Sequence, residues 1–210
     1  MGELSFTCID VRPEPYAAAP TLLFKLRIDC GGAHAVEAIA LRCQIRIEPR
    51  RRRYTPSEEE RLLDLFGEPA RWSDTLQPLQ FAFVSHIVPG FAGSTDVDLP
   101  VACTYDFEVA STKYFHALGE GEIPLLLLFS GSVFWHGESG FSVQQIPWHH
   151  EAAYRLPVAV WRALMDLYFP NAGWIRVHRD TLDALQRFKA ERALPTWEAA
   201  FDELLGGVRA

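Results

Sequence analysis

Ile123–Trp135 reads IPLLLLFSGSVFW, and its interpretation decides the fold. Leu125, Leu126, Leu127, Leu128 and Phe129 run without a polar residue, and Val133, Phe134 and Trp135 follow after Ser130-Gly131-Ser132. A bilayer crossing needs roughly 20 apolar residues, so this run is too short to span one. Turn signals bound it: Gly119-Glu120-Gly121-Glu122 before, His136-Gly137-Glu138-Ser139-Gly140 after. A short apolar run between such signals predicts a β-strand covered on both faces. Pro124 lacks an N–H and belongs at the first strand position. Gly131, inside the run, predicts a bulge or a close backbone approach.

Alternation extends outward from this strand. Leu4, Phe6 and Cys8 predict a short strand with one apolar face. Leu22, Phe24, Leu26, Ile28 and Cys30 predict a second, and Ile39, Leu41, Cys43, Ile45 and Ile47 a third. Gly31-Gly32 between these two predicts an antiparallel hairpin. Phe81, Phe83 and Ser85 suggest another strand. A longer one carries Val97, Leu99, Val101, Cys103, Tyr105, Phe107 and Val109, with Pro100 marking an edge or a bulge. Phe141, Val143 and Gln145 offer a hairpin partner for the central run. One helix interrupts the strands at 56–66: Thr55 as N-cap, Pro56 at the first position, Glu58 completing a capping box and Gly67 as the stop.

From Trp148 the period changes. Val160, Trp161, Leu164, Met165 and Tyr168 follow helical spacing after Pro157. Asp180 and Thr196 are expected to cap two more helices. Strands followed by helices predict an α+β fold: an antiparallel β-sandwich, immunoglobulin-like in general architecture, with one inserted helix and a C-terminal helical appendage. The expected organisation is a single domain over 1–210, with a β-rich sandwich at 1–147 and a helical part at 148–210 packed on it.

The 210 residues are 49% hydrophobic and 22% charged, enough to form a core without disulfides or metals. The net charge of -7 disfavours nucleic-acid binding. Met1–Val11 has no basic region leading into an apolar one, and no stretch predicts a membrane span, so a cytoplasmic location is expected. Cys8, Cys30, Cys43 and Cys103 form no CxxC pair and read as reduced, buried thiols.

No phosphate loop, dinucleotide fingerprint, HExxH or GxSxG pattern is present. Phe129-Ser130-Gly131-Ser132 lacks the glycines of a nucleophile elbow. The densest polar group is Trp148-His149-His150-Glu151. Adjacent histidines point apart unless the backbone turns, so a metal here would use His149 or His150 with partners from elsewhere, His116 and His136 among them. Glu151 could be a ligand or a general base. The structural alternative is local hydrogen bonding at the approach to a helix. Asp96, Asp98, Asp106 and Glu108 form a carboxylate ladder that could hold a hard cation, or simply a solvated face. Arg50-Arg51-Arg52-Arg53 reads as a solvated run leading into the helix, or as a contact for an acidic partner. Trp135, Trp148, Trp161, Trp174 and Trp197 could line a groove, but aromatics at such spacing usually fill a core.

Several segments resemble one family together: Tyr105-Asp106-Phe107-Glu108-Val109-Ala110, Lys113-Tyr114-Phe115, Gly121-Glu122-Ile123-Pro124-Leu125, Ile146-Pro147-Trp148, Arg155-Leu156-Pro157-Val158, Tyr168-Phe169-Pro170-Asn171 and Leu194-Pro195-Thr196-Trp197. The chain resembles, over most of residues 4–205, an uncharacterised, mainly actinobacterial domain-of-unknown-function family associated with nickel–iron hydrogenase gene clusters. The resemblance transfers no catalytic residue and no cofactor. It implies a noncatalytic accessory or protein-interaction protein that supports assembly or function of such a hydrogenase, with hydrogenase subunits or maturation factors as partners. Two other readings stay open: a metal-dependent enzyme with its site near His149, His150 and Glu151, and a small-molecule or peptide-binding module.

Overall fold

A computed structural model of the chain describes residues 4–31, 35–104, 106, 109–137, 140–170 and 175–208. The described residues form two compact units, Met1–Trp174 and Ile175–Ala210.

The first unit is mixed α and β, with eight described strands in two antiparallel sheets. A three-stranded sheet has the order β1-β2-β5, formed by Leu4–Pro13, Thr21–Cys30 and Ser94–Ala102. The larger sheet runs β4-β3-β6-β7, formed by Leu79–Phe91, Val36–Ile47, Glu122–Gly137 and Gly140–Gln145. In it β8 (Glu151–Pro157) also pairs with β6. The inward side chains of both sheets share one hydrophobic core, an arrangement compatible with a sandwich. Phe6 of β1 stacks on Phe129 of β6 with ring centroids 4.5 Å apart, joining the two layers directly.

The opening run is the centre of the larger sheet. Its odd-numbered residues Ile123, Leu125, Leu127, Phe129, Val133 and Trp135 are buried. The expectation of cover on both faces holds for one face only, since Leu126 and Leu128 are half-buried and Ser130 is exposed. Leu126 lies opposite Arg46 on β3, and Leu128 lies between Gln44 and Glu151. Long polar side chains shield leucine with their apolar stems, so such a face needs no full second layer.

The hairpin expected around Gly31-Gly32 is not formed. β2 pairs with β1 and β5, whereas β3 pairs with β4 and β6. Even-numbered residues of β2 and odd-numbered residues of β3 do face a common interior, but from opposite sheets. Alternation specifies which face is buried and leaves the neighbour undetermined. Pro100 sits on β5, an edge strand, where a missing N–H is tolerated. That strand stops at Ala102 rather than running to Val109; Tyr105, Phe107 and Glu108 lie outside the described residues.

The stretch from 148, expected to be helical, opens with β8, in which Ala152 and Leu156 are buried and Tyr154 half-buried. Its short period-two pattern is masked by the strong helical signal after Pro157. The inserted helix is split at Leu62 into α1 (Pro56–Arg61) and α2 (Leu63–Phe66), and the capping box of Thr55 and Glu58 is present as expected. A short α3 (Trp72–Thr75) follows, and α4 (Ala110–Ala117) precedes β6. α5 (Val158–Tyr168) buries Trp161, Leu164 and Met165. Its Tyr168 hydroxyl lies 2.7 Å from the Glu14 carbonyl and 3.0 Å from that of Ala17, tying the helix to the loop after β1.

The second unit holds α6 (Arg179–Glu191) and α7 (Trp197–Val208). The backbone turns at Ala193, whose φ of 50° is in the left-handed region. His178, not Asp180, takes the N-cap position of α6, whereas the Thr196 hydroxyl accepts from the Ala199 N–H as expected of a cap. An Arg192–Glu203 ion pair links the helices. No described helix is long and apolar enough to cross a membrane.

Candidate functional site

One edge of β6 has two successive partners. Residues Glu122–Leu128 pair with β8, and Ser132–Gly137 pair with β7. Between them the chain from Ile146 to His150 leaves the sheet. It is held at its roots by the Phe129 N–H donating to the His150 carbonyl (2.9 Å) and the Ile146 N–H donating to the Gly131 carbonyl (2.9 Å). A turn from Pro147 to His150, closed by a 3.2 Å bond from the His150 N–H, gives the loop its bend.

This loop roofs a cavity of about 210 Å³. Leu4 of β1, with Val133 and Trp135 of β6, supplies apolar wall. Gln144, Gln145, His149 and His150 supply polar groups. Trp135 is only 4% exposed, and no described protein group accepts a hydrogen bond from its indole Nε1.

The histidines singled out in the sequence therefore do lie at a cavity. The His149 and His150 rings are 4.6 Å apart and tilted by 34°, and His150 also meets Phe6 edge-on at 5.6 Å. Glu151 is exposed at the start of β8 and does not line the cavity. The other two candidates lie elsewhere. His136 is exposed opposite Phe141, and His116 lines a separate cavity with Trp161, Arg162, Met165 and Asp166. Among the described residues no three His, Cys, Asp or Glu side chains are grouped to hold a metal ion.

His116 has a different role. Its ring stands edge-on to Trp161 at 4.6 Å, and burial, with Arg162 nearby, lowers its pKa to about 4. An unfolded histidine titrates near 6.5. Between these values the unfolded chain binds more protons, so stability rises with pH. The contribution is complete above about 6.5 and is lost progressively towards about pH 4. Urea unfolding at pH 7 and pH 5 should show a clear loss at the lower pH, and His116→Gln should flatten the difference. Equal pH dependence in both proteins would refute the assignment.

Two members of the carboxylate ladder, Asp96 and Asp98, are engaged by arginines, and Glu108 lies outside the described residues. Asp96 receives two hydrogen bonds from Arg27 at 2.8 and 2.9 Å, which hold its carboxyl below the usual range, and Asp98 pairs with Arg12 at 2.7 Å. Cys8, Cys30 and Cys43 are buried and Cys103 half-buried, all unpaired. Burial pushes Cys8, Cys43 and Cys103 up to about 12, which keeps them as weakly nucleophilic thiols. Trp161 and Trp135 are core residues, Trp148 is exposed, and Trp174 lies outside the described residues.

Sequence reasoning missed two features. One is the Arg52–Glu58 pair under α1, hidden within an arginine run that looked solvated. The other is the outer face of the larger sheet. Cross-strand partners Gln44↔Phe83 and Ala40↔Ile87, then Ala38↔Phe134 and Phe134↔Val143, place these residues on one face. Phe83 is 74%, Ile87 66%, Phe141 65% and Val143 53% exposed. Phe134 stacks on Phe141 at 5.7 Å. The signal was in the sequence, because Phe83 and Ile87 share the parity of Ser85 and cannot face the core together with Val84 and Val88.

The sequence profile of a family of unknown function (DUF6084) matches residues 1–210. No curated protein matches the chain. Among solved structures, a late embryogenesis abundant (LEA) protein matches with a TM-score of 0.33 at 12% identity, over 74% of this chain and 72% of that one. A β-glucosidase from Kluyveromyces marxianus matches at TM-score 0.26 and 9% identity, over 73% of this chain and 15% of that one. Its complex with glucose gives 0.23 and 11%, with the same coverage.

Proposed function

The chain belongs to the DUF6084 family, and from that premise we propose that it is a noncatalytic accessory protein that binds a partner protein through the outer face of its larger sheet. The observation that carries this reading is the exposure, on one sheet face, of Phe83 and Ile87 on β4 and of Phe141 and Val143 on β7, with Arg42 and Ser130 on the two strands between them. Isolated exposed apolar residues are ordinary, whereas several on one sheet face, with arginine and serine among them, have the mixed composition of an interface. The resemblance noted above favours as partner a subunit or maturation factor of a nickel–iron hydrogenase, whose assembly or function this protein would support.

The test is affinity purification of the tagged protein from its native host under conditions that express the hydrogenase, with partners identified by mass spectrometry. Hydrogenase subunits or maturation factors should copurify. The double variant Phe83→Asp, Ile87→Asp should reduce their recovery by about tenfold or more, as loss of apolar interface residues does. Its melting temperature should hardly change, because both side chains are already in water. Recovery of the same partners by the double variant would move the interface elsewhere. Failure of any hydrogenase component to copurify would remove the process from the proposal.

A further inference from the structure

We infer that the free edge of β4 is a self-pairing surface: two copies of this chain join through it, strand beside antiparallel strand, into one continuous sheet about a two-fold axis at Ser85. The inference stands apart from the sheet-face reading, because it uses the rim of the strand and leaves the outer face open to a partner.

Backbone geometry sets the first condition. β4 ends the order of the larger sheet, and β5, which follows it after the bend at Ala92-Gly93, belongs to the other sheet. No described strand therefore pairs with β4 on the side away from β3. The Glu48 N–H donates to the Pro124 carbonyl at 2.9 Å, in register with the β3–β6 ladder. Even-numbered residues of β3 thus bond to β6, and the odd-numbered Ile39, Leu41 and Cys43 bond to β4, at Val88, His86 and Val84. The N–H and C=O groups of Phe83, Ser85 and Ile87 turn outward, a ready template for another strand. Pro89 turns outward too, so its missing N–H costs the β3 ladder nothing and ends the template.

Charge sets the second. Edge strands are ordinarily guarded against pairing by charges, proline or a bulge. β1 has Asp10, Arg12, Pro13 and a register shift between Cys8 and Asp10. β5 has Asp96, Asp98 and Pro100, and β8 has Glu151 and Arg155. The 13 residues of β4 include no Asp, Glu, Lys or Arg. β7 is uncharged as well, but at 6 residues it offers a much shorter template. In a chain of net charge -7, β4 is the long edge at which two copies meet without repulsion.

Side chains select a second copy as the occupant. Phe83-Val84-Ser85-His86-Ile87 complements itself when reversed. Phe83 then lies beside Ile87 of the second copy, Ser85 beside Ser85, and Ile87 beside Phe83. Aromatic–β-branched neighbours and paired hydroxyls are favourable cross-strand pairs. Phe83 and Ile87 are 74% and 66% exposed in the single chain, and the pairing covers one flank of each. A joint of this length buries less than about 1,200 Å², so the dimer dissociates at concentrations on the order of micromolar.

Sedimentation velocity of the full chain tests this. The weight-average mass should rise from 23.7 kDa towards twice that value between about 1 and about 300 μM protein. Ser85→Pro removes only an outward N–H; it should hardly change the melting temperature and should stay monomeric throughout. If Ser85→Pro does not fold, charge decides. Ser85→Lys and Ser85→Glu should each be monomeric, because like charges then face each other across the axis, and an equal mixture of the two should dimerise again. The inference is overturned if the unaltered chain stays monomeric over that range, if Ser85→Lys alone dimerises like the unaltered chain, if the mixture fails to dimerise, or if Val143→Pro on β7 removes the dimer and Ser85→Pro does not.

Discussion

Gly131→Ala should be among the most destabilising single substitutions in the chain. Gly131 lies opposite Leu41 in the β3–β6 ladder, at a φ of +133°. A Cβ built there would sit 2.0 Å from the Ala40 carbonyl oxygen and 3.1 Å from its carbon. Both are backbone atoms of a central strand, so no rotamer change relieves the clash. The left-handed φ adds its own cost for an L-residue, on the order of 1–2 kcal/mol. Overpacking in a closed core adds about 1–3 kcal/mol or more. Together these come to about 2–5 kcal/mol, a large part of the margin of a typical domain, about 5–15 kcal/mol. Gly93→Ala separates the two causes, because Gly93 has φ +72° and nothing within 4 Å of its missing Cβ. It should lower stability by only the conformational part. Urea denaturation of the two variants measures the difference, and equal losses would show that the close approach to Ala40 is not the constraint.

Gly131 also shows how far the sequence could be read. A glycine within an apolar strand run announces a close approach, and the structure supplies one. The period-two patterns of β2, β3 and β6 predicted which faces are buried, because burial is a property of each strand's own alternation. Pairing is not. Leu22–Cys30 and Ile39–Ile47 satisfy the hairpin parity equally well as members of facing sheets, and only long-range closure decides between the two. β8 escaped notice because seven residues of alternation stand directly before a strong helix. Of the site, His149 and His150 were legible as residues with chemistry. Trp135 reads as either a groove-lining or a core residue, and it is both buried and part of the cavity wall. Ile146-Pro147 entered only as part of the family resemblance, yet it lines the cavity under the loop. The four arginines at 50–53 looked alike, and only contacts 23 to 70 positions away distinguish them: Arg50 donates to the Ser73 and Leu76 carbonyls, and Arg52 to those of Glu120 and Glu122.

Arg52 and Glu58 carry the second large effect. The Arg52 Nη2 lies 2.5 Å from the Glu58 Oε1; the Glu58 side chain is buried and that of Arg52 nearly so. The same carboxylate accepts from the Gly119 N–H at 2.8 Å and, through Oε2, from the Thr55 N–H at 3.0 Å. One carboxylate therefore joins the first turn of α1 to the segment that feeds β6. Beside it, the Tyr54 hydroxyl donates to the Pro49 carbonyl and leaves its oxygen to accept from Tyr114. Glu58→Ala leaves the guanidinium of Arg52 with only the Glu120 and Glu122 carbonyls and strands two backbone donors, and should cost about 3–5 kcal/mol, as breaking a buried pair does. Arg52→Ala should cost a similar amount. The double variant should cost well below the sum, because each single change already breaks the pair. Additive losses in urea denaturation would mean that the two act separately.

Acidity gives an independent check on Glu58. Burial by itself would raise its pKa, but the Thr55 and Gly119 N–H groups and Arg52 outweigh it and hold the carboxyl below its ordinary value of 4.5. Between the folded value and 4.5 the unfolded chain binds more protons, so stability increases with pH across that window. The contribution is complete above 4.5 and is lost as pH falls through the lowered folded value. His116 loses its contribution in a higher window, beginning below about pH 6.5. The two groups are thus separable in one titration. Glu58→Gln should flatten the acid limb below 4.5 and leave the pH 7 to pH 5 change intact, while His116→Gln should do the reverse. If Glu58→Gln instead steepens the loss between pH 7 and pH 5, the carboxyl is protonated in the folded protein over that range and its pairing with Arg52 is wrongly assigned.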